Sequence, residues 1–270
     1  MRLIAWMSAA AASVGLCTAS MAQISGKVVL EGQPPEMPEI KAIASNPQCA
    51  AEHKDPVYEE TVVTDDHNDL ANVVVFIKED KEGALKGPKI EKPAVIDQKG
   101  CVYAPHVLAV EVGQPIVVKN SDPFMHNVHS LAIDNPTFNF AEVNQGEKTI
   151  EPFTAVETFQ IKCDVHPWMK SWVRVFDHPY FAVTGEDGKF TIDTKGLKDG
   201  EYEVQTWHEL YHDSPPQKFM LKDGKAEKEL EFKYKSNTAK AEVSPVKQVH
   251  LAAADGKAAC CSVKAVARAN

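Results

Sequence analysis

Two-residue alternation restricts this chain more than any other feature. In Ile24-Ser25-Gly26-Lys27-Val28-Val29-Leu30, apolar positions alternate with small or charged ones until Glu31-Gly32 ends the run. That period matches a strand with one buried face, not a helix. A β-branched run, Ala71-Asn72-Val73-Val74-Val75-Phe76-Ile77, predicts another strand, as do residues 107–112, 115–119 and 158–162. Three Asp-Gly pairs follow before residue 236, at Asp187-Gly188, Asp199-Gly200 and Asp223-Gly224. They separate the strand-like runs 181–184, 190–192, 202–207, 219–221 and 230–232. Each pair predicts a hairpin, because both residues tolerate positive φ. The Pro-rich stretch 33–38 reads as loop, and no long amphipathic helix precedes the last 35 residues. The fold class expected is all-β, as sandwiches or Greek-key barrels.

The two ends stand apart from this pattern. Residues 1–22 read as a secretory signal peptide: Arg2 supplies the basic start, 3–16 is mostly apolar, and Ser20-Met21-Ala22 offers small residues before a cleavage point. Lipidation at Cys17 is the weaker reading, since bulky Leu16 precedes it. No other apolar run reaches the ~20 residues of a membrane span, so a periplasmic or otherwise exported chain is expected. Residues 236–270 are Ala-rich and lack aromatics, and read as a flexible tail. The whole chain carries 29 basic and 38 acidic residues, a net charge of −9, which argues against a nucleic-acid partner needing a basic face.

Chemistry concentrates in one place. Cys163-Asp164-Val165-His166-Pro167-Trp168-Met169 spaces a thiolate, an imidazole and a thioether at three-residue intervals, and Met125-His126-Asn127-Val128-His129 lies upstream. One thiolate, two imidazoles and one thioether are the donors of a blue-copper centre, with the thioether as a weak axial contact. Soft sulfur favours Cu(I), while imidazole serves both oxidation states. Three donors on one short loop can reach one ion, and a donor from another strand ties that loop to the sandwich.

Residues 113–122 (GQPIVVKNSD), then His126-Asn127-Val128-His129, then 163–169, resemble the cupredoxin family over roughly residues 94–177. The resemblance implies a Greek-key sandwich with one type 1 copper, held by His126, Cys163, His166 and Met169, and leaves His129 outside the ligand set. It further implies that the His166 edge reaches the surface as the electron exit. Phe124, Met125, Pro167 and Trp168 would then form an apolar docking patch. The sequence departs from the family in the long segment between His129 and Cys163 and in Trp168 within the ligand loop.

A second resemblance frames the first. Residues 24–32, 70–77, 183–192 and 200–204 are similar to the carboxypeptidase regulatory-like, transthyretin-type sandwich. The expected organisation is therefore a discontinuous sandwich of residues 23–90 and 178–235, interrupted by a cupredoxin domain at 91–177. Insertion is tolerated because domain termini often lie close together.

Other candidate sites read as structural. His208-Glu209-Leu210-Tyr211-His212 is a literal H-E-x-x-H, but a zinc protease needs those residues inside a helix. The alternating residues before it and Ser214-Pro215-Pro216 after it favour two loop histidines at a strand end. With Cys163 assigned to copper, Cys49 and Cys101 are expected to form a disulfide, which export permits and which would tie the N-terminal segment to the insert. Cys260-Cys261 is left without a role. His53, His67, His106, His178 and His250 read as surface or structural. The expected function is one-electron transfer with transient redox protein partners, and no enzyme activity, since the full ligand set leaves no open position for substrate. The alternatives are a copper-delivery protein and a non-catalytic structural module.

Overall fold

The computed structural model describes residues 22–79 and 85–236. The signal and lipidation readings and the tail with Cys260-Cys261 lie outside the described residues, apart from Ala22 and Ser236. No helix among the described residues is long and apolar enough to cross a membrane.

The chain begins with β1 (Gln23–Glu31), two single-turn helices α1 (Lys41–Ser45) and α2 (Pro47–Ala51), and β2 (Val74–Lys78). Next come β3 (Ala94–Lys99), β4 (Val102–Ala104), β5 (Val107–Glu111), β6 (Ile116–Asn120), β7 (His126–Ser130) and β8 (Asn139–Glu142). They are followed by β9 (Gly146–Ile150), β10 (Glu157–Lys162) and β11 (Lys170–Phe176). The last group is β12 (Phe181–Val183), β13 (Lys189–Asp193), β14 (Gly200–His208), β15 (His212–Asp213), β16 (Gln217–Lys222), β17 (Lys225–Ala226) and β18 (Leu230–Lys235).

These strands build two sandwiches. The inner one stacks the sheet β5-β11-β10-β7-β8 on the sheet β4-β3-β6-β9, around Ile96, Val118, Val128, Phe159, Ile161 and Val173. Its parallel pairs, β3 with β6 and β5 with β11, require crossovers of the Greek-key kind. The outer sandwich pairs β13-β1-β18 with β12-β2-β14-β16-β17, around Ile24, Leu30, Ile77, Val204 and Phe232. Every strand of the inner sandwich falls between β2 and β12 in sequence.

The β-branched run at β2 is explained by this arrangement. Val75 and Ile77 point into the outer core, while Val74 and Phe76 point the other way, onto Val107, Phe176 and Trp207. A strand buried on both faces reads as a continuous apolar run. At this junction the Trp172 and Trp207 rings meet edge to face at 5.5 Å, and the Arg174 guanidinium lies 4.4 Å over the Phe76 ring.

The structure changes three sequence expectations. Only Asp223-Gly224 closes a hairpin, β16 to β17, with both residues at positive φ. The other two Asp-Gly pairs turn the chain from one sheet of the outer sandwich to the other, as β12, β13 and β14 alternate between sheets; a tight turn reverses the chain without dictating which strand it pairs with. The H-E-x-x-H residues lie at a strand end, as expected, but the histidines are in strands and not in a loop: His208 ends β14, His212 begins β15, and the two pair across the turn. His208 Nδ1 accepts the backbone N–H of Leu210 and Tyr211, and burial pulls its pKa down to about 4. Glu209 works at the junction, accepting from Trp172 Nε1 at 2.8 Å and pairing with His106.

The third change is in the long connection from β1 to β2. It holds α1 and α2, whose turn starts with Pro47 and is capped by Asn46 Oδ1, which accepts from Gln48 and Cys49 N–H at 3.0 and 3.3 Å. This is the expected chemistry of a helix start. The segment closes on itself through Ile40 N–H to Val57 O and Glu59 N–H to Pro38 O. It then packs on the inner sandwich, where Ile43 and Cys49 join the core. The N-terminal half of the outer sandwich thus sends a strap across the insert.

Trp207 is the largest buried side chain of the junction. Trp207→Ala is expected to cost about 3–5 kcal/mol of unfolding free energy, measured by urea denaturation with far-UV circular dichroism.

Candidate metal centre

The site grows from the β10–β11 ladder, which pairs Glu157 with Val175 and continues to Lys162 with Lys170. Residues 163–169 must close between those two ends. They do so by Cys163 N–H to Met169 O at 3.1 Å, Met169 N–H to His166 O at 2.9 Å and His166 N–H to Cys163 Sγ at 3.3 Å. On the other side β10 pairs with β7, Ile161 opposite Ser130 and Lys162 opposite His129. Strand alternation then sorts the two upstream histidines. His126, on the face of Val128, is fully buried; His129 has a 29% exposed side chain and pairs with Asp164 at 3.0 Å.

His126 Nδ1 lies 3.0 Å from His166 Nδ1, and His166 Nδ1 lies 4.0 Å from Cys163 Sγ. Donor atoms of His126, Cys163 and His166 all fall within 4.8 Å of one another. A metal ion sits ~2.0–2.3 Å from nitrogen and thiolate donors, so one ion fits among the three with little movement. Met169 is buried in the same core, and its backbone is tied to both Cys163 and His166.

Around these side chains lies a shell that the sequence reading mentioned only as part of a string or not at all. His126 Nε2 is 2.8 Å from Asp122 Oδ2. The Asp122 carboxylate also accepts backbone N–H from Gly100 at 2.7 Å and Cys101 at 2.9 Å. Asn127 fastens the loop, its Oδ1 accepting Asp164 N–H at 3.1 Å and its Nδ2 donating to Asn139 Oδ1 at 2.6 Å. The sequence signal for Asp122 was its place four residues before His126, but strand spacing alone does not orient a carboxylate.

Cys49 and Cys101 are bonded as expected, with Cα atoms 5.6 Å apart. Their sulfurs lie within 4.8 Å of a His166 ring nitrogen. Trp168 stacks obliquely on His166 at 5.1 Å and donates its Nε1–H to Cys101 O at 3.0 Å. These contacts overturn the expected surface exit, since His166 is only 4% exposed. The disulfide sulfurs and the Trp168 ring both lie against the imidazole. Phe124 is buried as well, leaving Met125 and Pro167 exposed and Trp168 half-buried. Of the remaining histidines, His106 and His178 are buried, His53 is half-buried, His67 is exposed, and His250 lies outside the described residues.

The electrostatics divide the two imidazoles. Burial alone would lower the His126 pKa, but hydrogen bonds to Asp122 and Cys163 outweigh it and push it up to about 9. His166 goes the opposite way, lowered by burial and by the neighbouring His126. Burial would raise the Cys163 thiol, yet the bond to His126 and backbone N–H groups bring it below its ordinary value. A lowered thiol and one neutral imidazole are the forms in which these groups donate to a metal.

No family model matches the chain, and no curated protein matches it. Among solved structures, it is similar to a Cu-containing nitrite reductase from Thermus scotoductus SA-01, at 23% identity and a TM-score of 0.29 over 36% of this chain. The chain spans a quarter of that reductase's length (25%). It is similar to a purple cupredoxin from Nitrosopumilus maritimus, at 22% identity and a TM-score of 0.27, covering 30% of this chain and 98% of that one. A Cu(I) amicyanin variant gives 22% identity and a TM-score of 0.28, covering 37% of this chain and 97% of that one.

The imidazole split is measurable in the metal-free protein by long-range ¹H–¹⁵N NMR. His126 is expected to titrate near pH 9 and His166 below the usual ~6.5. The raised His126 value has a stability counterpart of definite sign. Its contribution is complete below pH ~6.5 and is lost as pH rises through about 9.

Proposed function

We propose that this chain is an exported type 1 copper protein that transfers single electrons between protein partners. His126, Cys163 and His166 would be the strong donors, and Met169 would supply a weaker thioether donor. The observation that carries this reading is the convergence of two Nδ1 atoms and one buried thiol within 4.8 Å, on a loop clamped between paired strands. When bound, copper supplies a one-electron couple, and the soft sulfur and imidazole donors match both of its states.

The protein's own part is to hold those donors still. Loop hydrogen bonds from Cys163 to Met169 and from Met169 to His166 fix the loop's spacing. The surrounding core of Phe124, Val128, Ile161 and Val173 excludes water from the donors. A rigid, dry site limits rearrangement when its charge changes. Metal binding displaces the proton of His126, so affinity rises with pH up to about 9. Exposed Met125, Val165 and Pro167 surround the loop, a small apolar face suited to brief redox encounters. The outer sandwich, which resembles the carboxypeptidase regulatory-like fold, serves as a non-catalytic scaffold.

A second reading, copper holding and delivery without electron turnover, is favoured by one observation: His166 is covered and not displayed. Absorption and EPR spectra of the copper-loaded protein separate the two. An intense blue thiolate-to-copper band, reversible reduction, and loss of the colour in Cys163→Ser are expected. A colourless protein that takes only Cu(I) and passes it to a chelator would establish the second reading in place of the first.

A further inference from the structure

We propose that Asp122 is the positioning residue of this centre, and that the strap's disulfide holds Asp122 in its working place. The inference rests on the copper reading and concerns residues outside its ligand set.

The first link is between Asp122 and His126. Both side chains are buried, and Asp122 Oδ2 stands 2.8 Å from His126 Nε2. An ionised carboxylate only accepts hydrogen bonds, so Nε2 carries the hydrogen. When the second proton leaves on metal binding, the lone pair freed is therefore that of Nδ1, the atom that faces His166 Nδ1 at 3.0 Å. A buried carboxylate on the far nitrogen also strengthens an imidazole as a donor. Asp122 therefore selects the tautomer, sets the ring plane and places negative charge beside the centre.

The second link holds Asp122. Its carboxylate accepts the N–H groups of Gly100 and Cys101, and its own N–H donates to Asn120 Oδ1 at 3.0 Å. Gly100 and Cys101 both have positive φ, +63° and +56°. Glycine adopts that conformation readily; cysteine rarely does. The turn aims two consecutive N–H groups at one carboxylate, an anion-holding arrangement.

The strap grips this turn. Cys49 is bonded to Cys101. His53, also in the strap, donates its Nε2–H to Gly100 O at 2.6 Å. The ligand loop grips it from the other side through Trp168 Nε1 to Cys101 O. A continuous set of contacts thus runs from α2 of the strap through the Gly100–Cys101 turn and Asp122 to His126. A segment belonging to the outer sandwich completes the surroundings of a site in the inner one.

The test uses the full-length copper protein with Asp122→Asn, the paired change Cys49→Ala with Cys101→Ala, and all three changes together. Copper affinity is measured by chelator competition. Reduction potential and EPR copper hyperfine splitting are measured at full loading. Asp122→Asn is expected to weaken Cu(II) binding about 10–100-fold and to raise the potential, because a negative charge that favours Cu(II) is removed. The paired cysteine change is expected to shift potential and splitting in the same direction. The triple variant is expected to go no further than Asp122→Asn alone, the non-additivity that marks a shared route. Circular dichroism checks folding. If the cysteine variant does not fold, His53→Ala, which releases Gly100 O with the disulfide intact, takes its place in the same comparison. A blue Asp122→Asn protein with wild-type affinity, potential and splitting overturns the positioning role. Additive shifts in the triple variant overturn the strap's part in it. A wild-type chain without a blue copper spectrum overturns the copper reading itself, before any variant is compared.

Discussion

The antiparallel pairing of β10 with β11 is the constraint from which the site follows. Its six cross-strand pairs run without a break up to Lys162 and Lys170. Backbone groups in a buried sheet must be paired, so the register of that ladder is strongly specified. Residues 163–169 are left to close a fixed gap, which brings Cys163, His166 and Met169 together through three local hydrogen bonds. The β7 pairing on the other edge then brings His126 into reach. A slip of one residue in β7 would bury His129 and expose His126, since neighbouring side chains point to opposite faces.

The inner sandwich does not build the centre alone. Its strands fall between β2 and β12, and it shares a junction with the outer sandwich, where β2 is buried on both faces and Trp172, Trp207 and Arg174 interlock. The strap adds a second tie, with Cys49 and Ile43 inside the inner core. Lys170 and Glu59 extend the contact by an ion pair at 3.0 Å. The result is a ligand loop enclosed on one side by chain that precedes the insert. Buried charge follows the same logic. Asp122 and Glu209 are each satisfied by an imidazole and by further N–H donors, as buried carboxylates must be.

Much of this could be read from residues alone. Alternating runs located β1, β5, β6, β10, β12, β13, β14, β16 and β18, because one-sided burial leaves its mark on sequence, and a continuous apolar run located β2. Strands β3, β4, β7, β8, β9, β11, β15 and β17 were not legible: residues of β9, at a sheet edge, are mostly exposed and carry no alternation to find. The two short helices escaped for a related reason, since a single turn is too brief to show a period. The Asp-Gly pairs at 187–188 and 199–200 announced turns correctly and partners incorrectly, as turn chemistry is local and sheet membership is not.

By itself, the sequence determined the all-β class and the spacing that lets Cys163, His166 and Met169 share one loop. These are consequences of local geometry, of a two-residue period and a seven-residue loop. Only the tertiary structure decided that His166 is covered, that Asp122 turns toward His126, and that Glu209 of the H-E-x-x-H string bridges two sandwiches. Those facts depend on which distant segments meet. Cys49 and Cys101 stand 52 residues apart, and His106 and Glu209 stand 103 apart. Contacts at such separations are set by the packing of whole sheets, which no local pattern encodes.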